Sequence, residues 1–218
     1  MDADPVEIRV LGCLIEKQRT TPDAYPLSLN SLRLACNQAT NRYPVVDYDE
    51  PTIRHALDGL ARRGWSRLAS GPGSRTAKFR HLFNEAMRVS DEEISILAVL
   101  MLRGAQTPGE LKQRTQRLHP FADLAELEAS LHGLIERELV ERLPRQPGQK
   151  EQRYRHLLED ETTMERPAPR AAEPEPVPER EPQPDRLDVL ERELRELREE
   201  VAELRAAIAS ERGGPLQE

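Results

Sequence analysis

The chain carries one plan twice. IRVLGCLIEKQRTTP, from Ile8 to Pro22, matches ISILAVLMLRGAQTP, from Ile94 to Pro108, at an offset of 86 residues, so that Ile8, Leu11 and Leu14 fall on Ile94, Leu97 and Leu100. Further along, IRHALDGLARRGW (Ile53 to Trp65) matches LEASLHGLIEREL (Leu127 to Leu139), and KFRHLF (Lys78 to Phe83) matches RYRHLL (Arg153 to Leu158). Three matches in the same order define an internal repeat, and a repeat constrains the fold strongly because each copy must form the same supersecondary unit. The offset falls from 86 to 74 between the first and second matches, which gives the first copy 12 extra residues after its Thr21-Pro22.

Each copy reads as three helices and a hairpin. In the first, Ile8, Leu11, Leu14 and Ile15 form a helical stripe, and Thr21-Pro22 offers a cap and a first-turn residue. A second helix is expected from Leu27 to Ala39, with Leu29, Leu32, Ala35 and Cys36 on one face and Ser28 or Asn30 as alternative starts. A third is expected from Glu50 to Arg63, with Ile53, Ala56, Leu57 and Leu60 inward and Gly64 ending it. Strands are expected at Trp65 to Ala69 and Thr76 to Leu82, around the turn SGPGS. The second copy has clearer punctuation, with capping boxes at Ser90/Glu93 and Thr107/Glu110. Its third helix is expected from Asp123 to Glu138, burying Leu124, Leu127, Leu131, Leu134 and Ile135, and its strands at Leu139 to Leu143 and Glu151 to Leu157. The resulting fold class is mainly α with small β-hairpins: tandem winged helix-turn-helix units at 4–84 and 90–158.

Beyond Asp160 the sequence changes character. Seven of the 18 prolines lie between Glu161 and Asp185, which reads as a flexible Pro/Glu-rich linker. Within 186–210, Leu187, Leu190, Leu194, Leu197, Val201, Leu204 and Ile208 are spaced alternately by three and four, the a and d positions of a coiled coil. A parallel homodimer would pair Arg186 with Glu191, Glu193 with Arg198 and Glu200 with Arg205; a single exposed helix stabilised by its own Glu and Arg pairs is the alternative. The net charge of -7 belongs wholly to residues 161–218, while residues 1–88 carry +3 and 89–160 carry -3. An acidic N-terminus and the lack of any long apolar run imply a cytoplasmic chain with no membrane partner.

With IEKQRTTPDAYPLSLNSLRLACNQATNR (Ile15 to Arg42) and LRGAQTPGEL (Leu102 to Leu111) in view, the chain resembles the bacterial YceH or UPF0502 family (DUF480). The resemblance spans about Ile8 to Leu158 and implies tandem winged helices and dimers. It implies no catalytic activity, ligand or operator.

The first copy is the better candidate for double-stranded DNA. Once the apolar stripe of its third helix is turned inward, Thr52, Arg54, His55, Asp58 and Arg62 remain, and Arg75 and Lys78 join them from the hairpin. The matching helix of the second copy offers Ala125, Glu126, Glu128, Ser130 and Glu136, which would repel phosphates, although Arg145 and Lys150 leave its hairpin basic. That copy suits packing, dimerisation or a protein partner, and a structural or adaptor role for the whole chain is the alternative reading.

In LACNQATN (Leu34 to Asn41) the polar groups have two uses. They could meet nucleic acid, or Asn41 could end the helix left-handed while Asn37 and Gln38 tie down the long connection after it; Tyr25, Pro26, Tyr43 and Pro44 would brace the same connection.

No enzyme, cofactor or metal is expected. The five histidines are dispersed, and His81 and His156 occupy one repeat position, as a shared packing solution would. SGPGS lacks the lysine and the strand-to-helix setting of a phosphate loop. Cys13 and Cys36 sit in apolar patterns and read as small core residues, with a disulfide or metal site the lesser alternative.

Overall fold

The computed structural model describes residues 3–70, 76–145 and 151–159. The fold is mainly α-helical with small antiparallel sheets, and the expected order of elements occurs twice. Helix α1 (Pro5–Thr20) leads through a 3-10 turn, Pro22–Ala24, to strand β1 (Leu27–Ser28), α2 (Leu29–Cys36), α3 (Glu50–Arg62), β2 (Ser66–Leu68) and β3 (Lys78–His81). A short helix α4 (Phe83–Met87) precedes α5 (Asp91–Arg103), α6 (Pro108–Thr115), α7 (Leu124–Glu136), β4 (Val140–Arg142) and β5 (Tyr154–His156).

The two expected capping boxes form. Ser90 with Glu93 and Thr107 with Glu110 make capping boxes, and Asp4 with Glu7 makes a third that was not among those expected. Asp49 caps α3 and Asp123 caps α7. Gly64 follows α3 with φ 73°, and its repeat equivalent Glu138 follows α7 with φ 55°, so both helices end in the left-handed region.

Four expectations need correction. Leu27 and Ser28 do not begin α2. They pair with Phe79 and Lys78 as a third strand, Ser28 caps α2 by accepting the Ser31 N–H, which is the alternative start set by Ser28, and the helix stops at Cys36 rather than Ala39. Thr21-Pro22 opens only the 3-10 turn, without a side-chain cap bond. The structural counterpart of Thr107 is therefore Ser28, and the isolated bridge between Gln106 and Tyr154 stands where Leu27 pairs with Phe79. The 12 extra residues thus divide into 7 before α2 and 5 between α2 and α3. Leu124, expected inward, is 41% exposed, because it is the first residue of α7 and precedes the buried stripe of Leu127, Leu131 and Leu134. Helix α4 lies where a plain link was expected; its Phe83 is buried edge-on against Trp65, centroids 5.1 Å apart.

A single apolar cluster draws on both copies. Every residue from Glu7 to Ile15 of α1 and from Ile94 to Leu102 of α5 is buried, which means that each helix is covered on all sides. They run in opposite directions: Arg19 reaches Asp91 at one end, and Gly12 lies against Leu102 and Met101 at the other. A Cβ on Gly12 would stand 3.0 Å from Leu102 Cδ2 and Cγ, so glycine sets this approach. The chain start joins the end of the second copy, where Ala3 donates its N–H to the Leu158 carbonyl at 3.1 Å. Among the described residues no helix is long and apolar enough to cross a membrane.

Candidate nucleic-acid interface

The candidate interface is the outer face of α3, and its aim is set from behind. Ile53, Ala56, Leu57 and Leu60 are buried. In the last turn of α3, Gly59 lets the buried Glu7 carboxylate come so near that a Cβ would be 1.7 Å from Glu7 Oε1. Glu7 Oε2 accepts from the Asp4 backbone and from Arg63 Nε at 3.1 Å. Arg63 in turn lies over Trp65, 5.6 Å from the ring centroid. The second copy repeats this device: Glu93 takes Arg137 Nη1 at 3.1 Å and approaches Gly133, where a Cβ would sit 3.4 Å from Glu93 Oε1. Stripes of apolar residues do not reveal it, although GLARR and GLIER carry its glycine and arginine at the same spacing.

The connection into α3 is fixed by polar groups. Asn37 donates to the Tyr48 carbonyl at 2.8 Å and accepts the Tyr48 N–H at 2.9 Å, so it serves as a tether. Asn41 adopts φ 61° but does not end α2 as expected, because the helix stops at Cys36 with Asn37 as its C-cap and Asn41 lies in the connection beyond. Arg42 is no candidate for nucleic acid, since its side chain is 0% exposed. It donates to the Ala35 carbonyl, to Gln38 and to both oxygens of Glu16, at 3.0 and 2.5 Å. Burial pulls the Arg42 pKa down, but the Glu16 carboxylate together with Cys13 and Cys36 outweighs it and raises the group above its ordinary value. Tyr43 braces the segment with its backbone, donating to the Leu102 carbonyl at 2.8 Å, while its ring stays exposed. Tyr25 anchors more deeply: its hydroxyl accepts the His81 N–H, and burial pushes its pKa up to about 12.

With its back fixed, α3 shows Arg54, His55, Asp58 and Arg62 on one exposed face. Thr52 is half-buried and committed to the cap, bonding Asp49 through its N–H at 2.9 Å and through its side chain. Those two bonds hold the Asp49 carboxyl below the usual range. Lys78 is exposed at the start of β3, paired in register with Ser28. Arg67, on β2, is a further exposed cation outside the set expected from the sequence; it lies opposite Arg80, and only Arg80 is neutralised, by Glu85. Among the described residues, the side chains of Arg54, His55, Arg62, Arg67 and Lys78 have no hydrogen-bond or ion-pair partner. Arg75, Lys150, the linker 161–185 and the heptad residues Leu187 to Ile208 lie outside the described residues.

At the positions of α7 that match this face stand Glu128 for Arg54, Ala129 for His55, His132 for Asp58 and Glu136 for Arg62, all exposed. His81 and His156 are both buried, 2% and 8% exposed, His81 against Gln18 and His156 beside Glu159. Among the described residues no three His, Cys, Asp or Glu side chains are grouped to hold a metal.

A family model described as a protein of unknown function, DUF480, matches residues 3–149. The chain belongs to the DUF480/UPF0502 family. Its similarity to other UPF0502 proteins is high: it is 47% identical to one from Pelobacter propionicus over 209 residues, covering 95% of each chain. It is 53% identical to one from Geobacter sulfurreducens over 169 residues, covering 75% of this chain and 77% of the relative. A UPF0502 protein named YceH, from Salmonella paratyphi B, is 41% identical over 212 residues, covering 93% and 95%. The UPF0502 match takes in all three capping boxes and both Glu–Gly–Arg devices.

Proposed function

We propose that the two repeats are tandem winged helices, that the first binds double-stranded DNA without catalysis, and that α3 is its reading helix. The observation that carries this is the pair Arg54 and Arg62, unpaired among the described residues, on the exposed face of a helix whose back is locked by Glu7, Gly59 and the Asn37 tether. A guanidinium with no protein partner can meet phosphate oxygens or a guanine edge, and a rigid backing keeps the cost of ordering low. Arg67 and Lys78 extend the cationic surface from helix to hairpin, His55 adds an exposed imidazole, and Thr52 contributes by fixing the helix start. Arg75 completes the hairpin's charge in the sequence.

The test is a titration of the full chain on mixed duplex fragments at low and moderate salt. Affinity should fall steeply with salt, and changing Arg54 and Arg62 together to glutamate, the residues α7 carries, should weaken binding by at least about tenfold. Unchanged affinity in the double variant removes α3 from the interface.

The second reading, an adaptor role, is favoured by one observation on α7. Leu124 is 41% exposed beside Ala125, Glu128 and Ala129, a face that repels DNA and offers an apolar anchor to a protein. A partner retained after nuclease treatment and lost in Leu124→Asp would support it. Homodimerisation through a parallel coiled coil at Leu187 to Ile208 is also part of the proposal, on the sequence spacing alone.

A further inference from the structure

The exposed faces of α3 and α7 are complementary position by position. Arg54, Asp58 and Arg62 stand four residues apart on α3, and Glu128, His132 and Glu136 stand four residues apart on α7, all six exposed. Side chains at this spacing lie one above the other, so each trio forms a row with about 6 Å between its members. The α3 row reads plus, minus, plus; the α7 row reads minus, imidazole, minus. Among the described residues Arg54, Asp58, Arg62 and Glu128 have no ion pair, and Glu136 has one, to His132 at 3.3 Å.

We propose that the α3 row of one molecule docks on the α7 row of a second copy of the chain. The rows run antiparallel: Arg62 meets Glu128, Asp58 meets His132 and Arg54 meets Glu136. An imidazole offers an N–H to a carboxylate whether or not it is protonated, so the middle pair attracts in both states. A parallel alignment makes the same three pairs, and the ends of the rows decide between the two. Antiparallel, Leu124, one turn before Glu128 and 41% exposed, passes beyond Arg62 to the end of α3 that leads into β2. The Ser66 hydroxyl donates to the Leu57 carbonyl at 3.4 Å and holds the root of β2 there, and Leu68, two residues on, is 56% exposed. Both exposed leucines then belong to one end of the contact. In the parallel alignment Leu124 would meet the exposed acid Glu50 instead.

A second copy is the occupant because it matches both rows at their own spacing, whereas a duplex suits α3 alone and is repelled by Glu128 and Glu136. The two surfaces differ, so the contact closes as a reciprocal pair or extends as a chain. Exposed charges with a small apolar end make it weak, transient and sensitive to salt. It covers α3, so self-association and DNA exclude each other. That consequence rests on the DNA-binding reading; the contact itself does not.

Reversing each row alone and then mixing the products tests the contact. Sedimentation equilibrium of the full chain, without DNA, gives the association constant of the wild type, of Arg54→Glu with Arg62→Glu, of Glu128→Arg with Glu136→Arg, and of an equimolar mixture of the two double variants. Each double variant sets like charges against each other and should associate at least about tenfold more weakly, while the mixture restores opposite charges and should return to within about threefold of the wild type. A dimer held by the heptads would be the same in all four samples. Association that neither reversal weakens, or a mixture no tighter than its components, overturns the contact. Recovery of a foreign protein by the wild type and not by the α7 variant, with the mass of the chain alone unchanged, would assign the α7 face to that protein and overturn it too. Leu124→Ser should weaken association at least about threefold, and no change would overturn the antiparallel alignment. Since no DNA is present, failure here leaves the DNA-binding reading standing, and a failed duplex titration leaves the contact standing. Duplex added to the wild type should dissociate the assembly; an assembly that takes up duplex intact overturns the exclusion.

Discussion

Arg54 and Arg62 of the first repeat stand where the second carries Glu128 and Glu136, whereas the inward residues Ile53, Leu57 and Leu60 stand where the second carries Leu127, Leu131 and Leu134. The backing device is common to both: Glu7, Gly59 and Arg63 in one, Glu93, Gly133 and Arg137 in the other. The two copies therefore agree in what holds the third helix and differ in what that helix shows to solvent. Charge on an exposed face is nearly free to change, while a buried carboxylate needs its glycine and its guanidinium together.

The sharpest strain on this comparison comes from acid. Burial lowers the pKa of both His81 and His156 to about 4, with Arg80 and Arg19 adding to the effect at His81 against Glu85, and Arg155 adding at His156. Between their ordinary value and 4, the unfolded chain takes up protons that the folded chain refuses. Stability is thus complete above pH 6.5 and drains as pH falls towards 4. Each imidazole accounts for ~3 kcal/mol at the bottom of that window. Urea unfolding across the window should show the loss, and His81→Gln and His156→Gln should each remove about half of it. If only one variant flattens the curve, the two histidines are not equivalent.

Next in size is the pair of helix glycines. Gly59→Ala must displace the Glu7 carboxylate from Arg63 and from the Asp4 cap, and should cost about 2 kcal/mol in denaturant titrations. Gly133→Ala meets Glu93 at an ordinary contact distance and gains helix propensity, so it should be neutral or stabilising by up to about 1 kcal/mol. Opposite signs would sharpen the distinction between the copies; equal costs would erase it.

The smallest effect lies at the helix ends. Glu138 occupies the left-handed position that Gly64 fills in the first repeat, so Glu138→Gly should raise stability by about 0.5 kcal/mol. Gly64→Ala should lower it by about 1 kcal/mol through backbone strain alone, since nothing lies within 4 Å of the added Cβ. Thermal midpoints of the two variants should move in opposite directions.

Local rules make much of this legible. The stripes of α1, α3 and α7, the caps at Ser90 and Thr107, and the hairpins after Trp65 and Leu139 all arise from spacing and short-range chemistry. Long-range pairing is not legible in the same way. Leu27 looks like the start of a helix because its apolar spacing fits one, and only the Phe79 strand beside it decides otherwise. Arg42 looks like a surface cation beside polar groups, and only Glu16, 26 residues away, explains its burial. At the interface, the exposed face of α3 is readable by subtraction of its stripe. Arg67 escapes such a reading because nothing in a three-residue strand declares which side chain keeps its charge unpaired.

The seam between α1 and α5 has a consequence for anyone who cuts the molecule. A helix covered on every side has no water-facing surface to fall back on, so removing the second repeat would leave an apolar wall around Gly12 that glycine has made flat enough for another chain to lie against. Fragments expressed alone would then seek each other or a foreign copy of the missing helix, with α5 from one molecule closing over α1 of the next. Complementation of two separately produced halves, and exchange of halves between molecules on brief partial unfolding, are behaviours built into that flat contact.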